Sequence, residues 1–230
     1  MTPTIRKRKT PKMTTSIHRD WIASLSPRLT RAGYDWEQLV RRCEQIVLFG
    51  SQAAGVAGQD SDFDLLCVGQ GPSRLNPLVD LVFIKPEFRF SEEWLGSELA
   101  GHIARYGAWL VGEPDWSRRV HSSQRAVDRK VEKILRRLQA VERHVGYLDE
   151  SYVQKYFALI RRDLQRFEYL INGEPVPSTP LLDSAWLEKI QPERYLQQIA
   201  REARVESSFL VERLWTGEHL SAQESRQRLR

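Results

Sequence analysis

Three short apolar runs, QIVLF at 45–49, FDLLCV at 63–68 and VDLVFI at 79–84, are the strongest constraint on what this chain folds into. They are rich in Val, Ile, Leu and Phe and are bounded by Gly, Pro, Ser or Asn, so they read as strands. From Ser123 the period changes. Val127, Val131, Ile134, Leu138, Val141 and Val145 recur at alternating steps of four and three, which puts them on one helical face. Val153, Phe157, Ile160, Leu164, Phe167 and Ile171 repeat the rule, and Gly173, Pro175 and Pro177 end it. Strands with helices first, helices alone afterwards, is an α+β pattern: a small sheet domain followed by an all-helical bundle domain.

Between these landmarks the chain is readable in outline. HRDWIASLSPRLTRAG and DWEQLVRRC have helical patterning, the second with Asp35 as N-cap and an end near Cys43. Pro86 stops the third strand. SEEWLGSELAGHIARYG then reads as one helix, capped by Ser91 and running to about Gly107, with AWLV as a short strand after it. Beyond the PVPSTP linker, helical pieces are expected at about 181–190 and 193–215. The boundaries that follow are a basic disordered tail at 1–14, a sheet domain at 15–118, a helical bundle domain at 120–218 and a polar tail at 219–230.

No run of eighteen apolar residues exists, and MTPTIRKRKTPK lacks the apolar stretch of a signal peptide, so the expectation is a cytoplasmic protein without a membrane span. Cys43 and Cys67 have no partner at metal-ligand spacing and read as buried thiols. The formal charge is +5, and Arg6, Lys7, Arg8, Lys9 and Lys12 in the acid-free first twelve residues account for all of it. A second basic cluster, Arg118, Arg119, Arg125, Arg129, Lys130, Lys133, Arg136, Arg137 and Arg143, faces only Asp128, Glu132 and Glu142 in the same span. It reads either as a solvated helix face or as a site for an anion.

Charge inside the strands is the chemical anomaly. Strand alternation projects Asp62 and Asp64 from the same face, with Phe63 and Leu65 on the other. Two carboxylates on a partly buried strand repel each other and lose hydration, and no Lys or Arg occurs from 46 to 73 to offset the cost. A divalent metal is the natural neutraliser, and carboxylates without His or Cys select hard Mg²⁺ or Mn²⁺. Asp80 repeats the anomaly in LVDLVFI and joins the pair if the two strands are neighbours. Three carboxylates on one sheet face can hold two metals roughly 3.5–4 Å apart, the arrangement for in-line phosphoryl chemistry. Gly50-Ser51 closes the first strand and opens a small-residue segment, QAAGVAG, where a helix N-terminus can receive phosphate oxygens.

Strand, Gly-Ser, spacer, Asp-x-Asp in the form SDFD (61–64), then an isolated strand Asp form an ordered set. In this set the sequence resembles the nucleotidyltransferase superfamily typified by DNA polymerase beta, most closely its minimal and aminoglycoside-type branches, over about residues 36–115. The resemblance implies an α+β fold, a small mixed-sheet nucleotidyltransferase domain followed by an all-helical bundle. It implies that Gly50 and Ser51 hold the triphosphate of a nucleoside triphosphate, ATP favoured, and that Asp62 and Asp64 bind two Mg²⁺ ions, Mn²⁺ being an alternative. Asp80 would bind one metal or act as general base. An acceptor hydroxyl would attack the α-phosphorus and release pyrophosphate.

One departure stands out. Many relatives carry arginines in the turn, GSRARG, where this chain has Gln52 and Ala54. Triphosphate binding then draws on basic residues elsewhere, with Lys155 and Arg161 on the second bundle helix, or the cluster from 118 to 143, as candidates. The acceptor is open. A cationic small molecule would want an acidic cleft, to which Glu98, Glu113, Asp115, Asp149 and Glu150 are candidate contributors; a protein acceptor would want an exposed interface; an RNA 3′ end would suit the Arg-rich helix and basic tail. A homodimer or a toxin partner is compatible with the sequence. The rival from another class is a non-catalytic partner or RNA-binding protein built on the same fold.

Overall fold

The computed structural model describes residues 16–144 and 150–182. The expected tails at 1–14 and 219–230 and the helical piece at 193–215 lie outside the described residues, as does the piece at 181–190 beyond residue 182. Two compact units divide the chain. One takes the residues up to Leu95 together with Leu99–Val120, the other Gly96–Glu98 together with the residues from His121 on.

The first unit is built on a four-stranded sheet of order β3-β2-β1-β4, with β1 at Cys43–Phe49, β2 at Phe63–Gly69, β3 at Val79–Ile84 and β4 at Ala108–Val111. β1 runs antiparallel to both β2 and β4, while β2 and β3 are parallel, so the sheet is mixed. A parallel neighbour forces the chain to travel back between β2 and β3. It does so beside the outer edge of β3, where Arg74 and Leu81 exchange backbone hydrogen bonds of 2.9 Å in both directions.

Strand alternation sorts the side chains into two cores. Ile46, Leu48, Leu65, Cys67, Val79 and Leu81 are buried with Leu25 and Leu29 of α1 (Ser16–Arg31) and Leu39 of α2 (Trp36–Arg42). Val47, Phe49, Leu66, Val68 and Ile84 are buried with Trp94, Leu95, Ala100, Ile103 and Trp116. Both helices on the first face have defined ends. Gly33, at φ +82°, lets Tyr34 N–H reach back to Leu29 O at 2.8 Å and close α1, and Asp35 caps α2 by accepting from Gln38 N–H at 2.8 Å. Cys43 both closes α2, its N–H donating to Leu39 O, and opens β1, which makes this strand longer than its QIVLF core.

The helix expected as one piece from Ser91 to Gly107 is two. After the single-turn α3 (Gly50–Ala53), the next helices are α4 (Glu92–Leu95) and α5 (Glu98–Tyr106). Gly96 and Ser97 fall in the break, where glycine's backbone entropy disfavours continuation. Ser91 does cap α4, its Oγ accepting from Trp94 N–H at 3.2 Å.

In the second unit the long elements among the described residues are α6 (Gln124–His144) and α7 (Glu150–Ile171). Ser123 caps α6, accepting from Ala126 N–H at 3.1 Å. Ile134 and Leu138 on α6, and Ile160, Leu164 and Phe167 on α7, are buried as the stripes require, while Val127 and Val131 are half-buried and Ile171, the last residue of α7, is exposed. The side chains of Val141, Val145, Val153 and Phe157 lie outside the description.

The basic cluster is not a plain solvated face. Asp163 of α7 is 1% exposed and meets Lys130 at 3.3 Å, Lys133 at 3.6 Å and the Arg137 guanidinium, while Lys130 also meets Glu98 at 2.7 Å. Burial of one carboxylate is thus offset by cations from α6. Asp163→Asn removes that charge from beneath three cations and is expected to destabilise the chain by about 3 kcal/mol, read from chemical denaturation.

Candidate active site

β2 and β3 pair in a register that sets Asp64 directly opposite Asp80. Both therefore share one face at one end of the sheet, the face of Leu66, Val68 and Ile84. Asp62 is not on the strand, because β2 begins at Phe63. It nonetheless reaches the same place: ligand oxygens of Asp62, Asp64 and Asp80, all half-buried, lie within 4.8 Å of one another. Asp80 is further oriented by Asn76, whose N–H donates to Asp80 Oδ1 at 2.7 Å.

The like charges disturb one another. Burial, then Asp62 and then Asp80, push the Asp64 carboxyl up to about 7 from an ordinary 3.8. Asp62 is also raised, first by burial and then by Asp80, against smaller opposing pulls from a backbone hydrogen bond and from Arg28. An all-oxygen set of converging carboxylates with this unfavourable charge suits a hard divalent cation.

Gly50 and Ser51 lie where β1 ends, at the start of α3. Phe49 pairs with Asp64 across the β1–β2 ladder, so the turn and the carboxylate are adjacent by construction. Gly50 has φ +70°, and a Cβ built on it would stand 2.9 Å from Asp64 Cγ. Glycine is required there twice over, by backbone conformation and by space. Gly50→Ala is expected to cost about 2 kcal/mol of stability and to displace Asp64, which thermal denaturation and divalent-metal titration of the purified variant will register together.

The Gly50 N–H is not free, since it donates to His102 Nε2 of α5 at 3.3 Å. The buried His102 ring also packs edge-on against Phe49. Its contribution was hidden in sequence because a single histidine on a helix carries no signal of what it faces. Gln52, at an arginine position of the resembling turn, donates from Nε2 to Ser61 O at 3.2 Å.

The remaining candidates lie on other elements. Lys155 is exposed on α7, in the second unit, as is the half-buried Arg161. Of the acidic residues considered for a cleft, Asp115 is taken by Arg89 at 3.1 Å and Gln45 at 2.7 Å, and Glu98 by Lys130. Asp149 and the Glu150 side chain lie outside the described residues. Among the described residues, no helix is long and apolar enough to cross a membrane.

A family model described as nucleotidyltransferase domain matches residues 35–169, more than half of the chain. The chain belongs to that family. Its nucleotidyltransferase domain starts at the α2 cap, takes in the whole sheet with the Asp triad, and ends within α7, so it reaches further along the chain than the motifs at 50–80 alone. No curated protein matches the chain.

Proposed function

We propose that this nucleotidyltransferase domain moves a nucleoside monophosphate, AMP by preference, from a nucleoside triphosphate to an acceptor hydroxyl on a small molecule or a protein. The observation that carries the reading is the convergence of Asp62, Asp64 and Asp80 beside the Gly50-Ser51 turn, within a matched nucleotidyltransferase domain. The acceptor oxygen forms a bond to the α-phosphorus as the bond to the β-phosphate bridge breaks, and pyrophosphate leaves with the displaced electron pair. Two Mg²⁺ ions, or Mn²⁺ in their place, would be held by the three aspartates and when bound would neutralise charge on the attacking and leaving oxygens.

The chain's own groups have the remaining tasks. The Ser51 hydroxyl and the amides after Gly50 receive phosphate oxygens, and Lys155 is the proposed cationic contact for the triphosphate. Asp80, aimed by Asn76 N–H, is the proposed acceptor of the hydroxyl proton. The proposal includes an all-helical bundle from 120 to 218 and leaves a homodimer or a toxin as the partner to be sought.

An RNA 3′ end is the second reading, and the basic helix that favoured it is partly committed to Asp163. The test incubates purified protein with α-labelled ATP, GTP, CTP and UTP and Mg²⁺ in lysate. Label from ATP is expected in the small-molecule or protein fraction. Label above a lysate-only control that is confined to RNA would replace the acceptor class, and no label above that control in any fraction would favour the non-catalytic partner.

A further inference from the structure

Asp62 sits outside β2, yet the peptide groups on both sides of it are held. On its C-terminal side Phe63 N–H donates to Leu78 O at 3.1 Å. On its N-terminal side the Ser61 carbonyl accepts twice: from Arg28 Nη1 of α1 at 2.5 Å and from Gln52 Nε2 of α3 at 3.2 Å. Arg28 reaches a second carbonyl of the same loop, Gln59 O, at 3.4 Å, and its guanidinium lies over the Phe63 ring at 5.1 Å. The loop closes on itself as well, with Gly58 N–H donating to Ser61 Oγ at 2.9 Å and Ser61 N–H to Gly58 O at 3.2 Å.

From this geometry we infer that Arg28 and Gln52 are positioning residues that fix Asp62 through the Ser61 carbonyl. The inference rests on the reading of the Asp triad as a divalent-metal site. Two donors from different helices converge on one oxygen whose peptide plane sets the backbone of the next residue, Asp62. Without them, the segment between α3 and β2 keeps its internal turn and the backbone bonds at its two ends, Val56 N–H to Ser51 O and Phe63 N–H to Leu78 O, but the peptide before Asp62 is released, and Asp62, having no ladder partner, loses its fixed approach to Asp64 and Asp80. Gln52 thereby has a task different from an arginine in a phosphate turn. Its amide ties the Gly50-Ser51 turn to the Asp-x-Asp loop, while the guanidinium near Asp62 arrives from α1 instead. The Tyr34-to-Leu29 closure at the end of α1 holds the last turn from which Arg28 extends.

Charge alone and positioning predict opposite signs. Arg28 lies close enough to Asp62 to favour its carboxylate, so deleting this cation should by charge alone tighten the binding of a divalent metal. Loss of positioning should weaken it, by about tenfold as for other groups that orient metal ligands. The experiment titrates the purified full-length chain with Mn²⁺ and reads free Mn²⁺ by electron paramagnetic resonance, well below the melting temperature of each variant. Arg28→Met is expected to raise Kd about tenfold, and the charge-neutral Gln52→Met to move it in the same direction. Arg28→Lys recovers part of the loss, because an ammonium can still donate to Ser61 O.

Mn²⁺ binding as tight as wild type, or tighter, in Arg28→Met or in Gln52→Met overturns the inference. If Arg28→Met does not fold, Gln52→Met decides alone. Wild-type protein that binds no Mn²⁺, indistinguishable from Asp64→Asn, overturns the metal reading itself and the inference with it.

Discussion

Asp64→Asn is expected to lower nucleotidyl transfer at least a thousandfold in kcat, a barrier increase of about 4 kcal/mol, while leaving the chain folded. Asparagine keeps the shape of the side chain, so the packing against Gly50 and the register opposite Asp80 are preserved. What goes is the charge that would hold a cation where the attacking and leaving oxygens meet, a contribution of several kcal/mol in two-metal sites. Asp62→Asn should behave similarly. Asp60→Asn, at an exposed carboxylate just before the SDFD stretch, should leave transfer within twofold of wild type. The comparison is a steady-state rate with α-labelled ATP at saturating Mg²⁺. Transfer in Asp64→Asn within tenfold of wild type would remove this carboxylate from the chemistry.

Burial of the Asp64 carboxyl, reinforced by repulsion from Asp62 and Asp80, carries the second large effect, on stability. Asp64 titrates at about 7 in the folded chain against an ordinary 3.8, so over that interval the folded state keeps a proton that the unfolded state has released. Metal-free protein is therefore most stable, as far as this group decides, below the unfolded value, and it loses stability as pH rises from about 4 to about 7. Raised Asp62 acts in the same direction. The shift corresponds to a penalty on the order of 4 kcal/mol at pH 8, or roughly 10 °C in Tm for a chain of this size. A bound Mg²⁺ or Mn²⁺ would offset the penalty, so the rise in Tm on adding metal should be large at pH 8 and small at pH 5. Asp64→Asn in chelator should melt higher than wild type at pH 8 and respond little to metal. A metal-free Tm that climbs steadily from pH 5 to pH 8 would contradict this electrostatic account.

How much of this was legible in the sequence follows from where each residue's partners sit. Asp64 and Asp80 announced themselves because a carboxylate inside a short apolar strand has no packing reason, and strand alternation needed only the β2–β3 pairing to bring them together. Asp62 reached the site by a different route than alternation: it stands one position ahead of the strand and is placed by hydrogen bonds to its neighbours. Those bonds come from Arg28 and Gln52, and no local pattern says that an arginine on α1 will reach a carbonyl far along the chain. His102 was equally invisible, being one helical histidine whose partner is the Gly50 amide.

The helical half shows the same division. The apolar stripe of α6 was readable, and Ile134 and Leu138 are buried as it required. Lys130 was not. It lies one turn from Ile134 on that face and is buried because Asp163 and Glu98 meet it, a fact fixed by tertiary pairing and not by period. The break between α4 and α5 was marked by Gly96-Ser97, but helical spacing on both sides masked it.

The step proposed for the Asp62, Asp64 and Asp80 site is transfer of the α-phosphoryl group together with its nucleoside. Parallel incubations with α-labelled and γ-labelled ATP, Mg²⁺ and lysate, using wild-type protein and Asp64→Asn, test it most directly. Relative to lysate alone, the expected gain is acceptor-bound label from the α position and label from the γ position in released pyrophosphate, and neither gain with Asp64→Asn. A gain of γ-label on the acceptor over lysate alone, or an α-label gain that persists in Asp64→Asn, would contradict it.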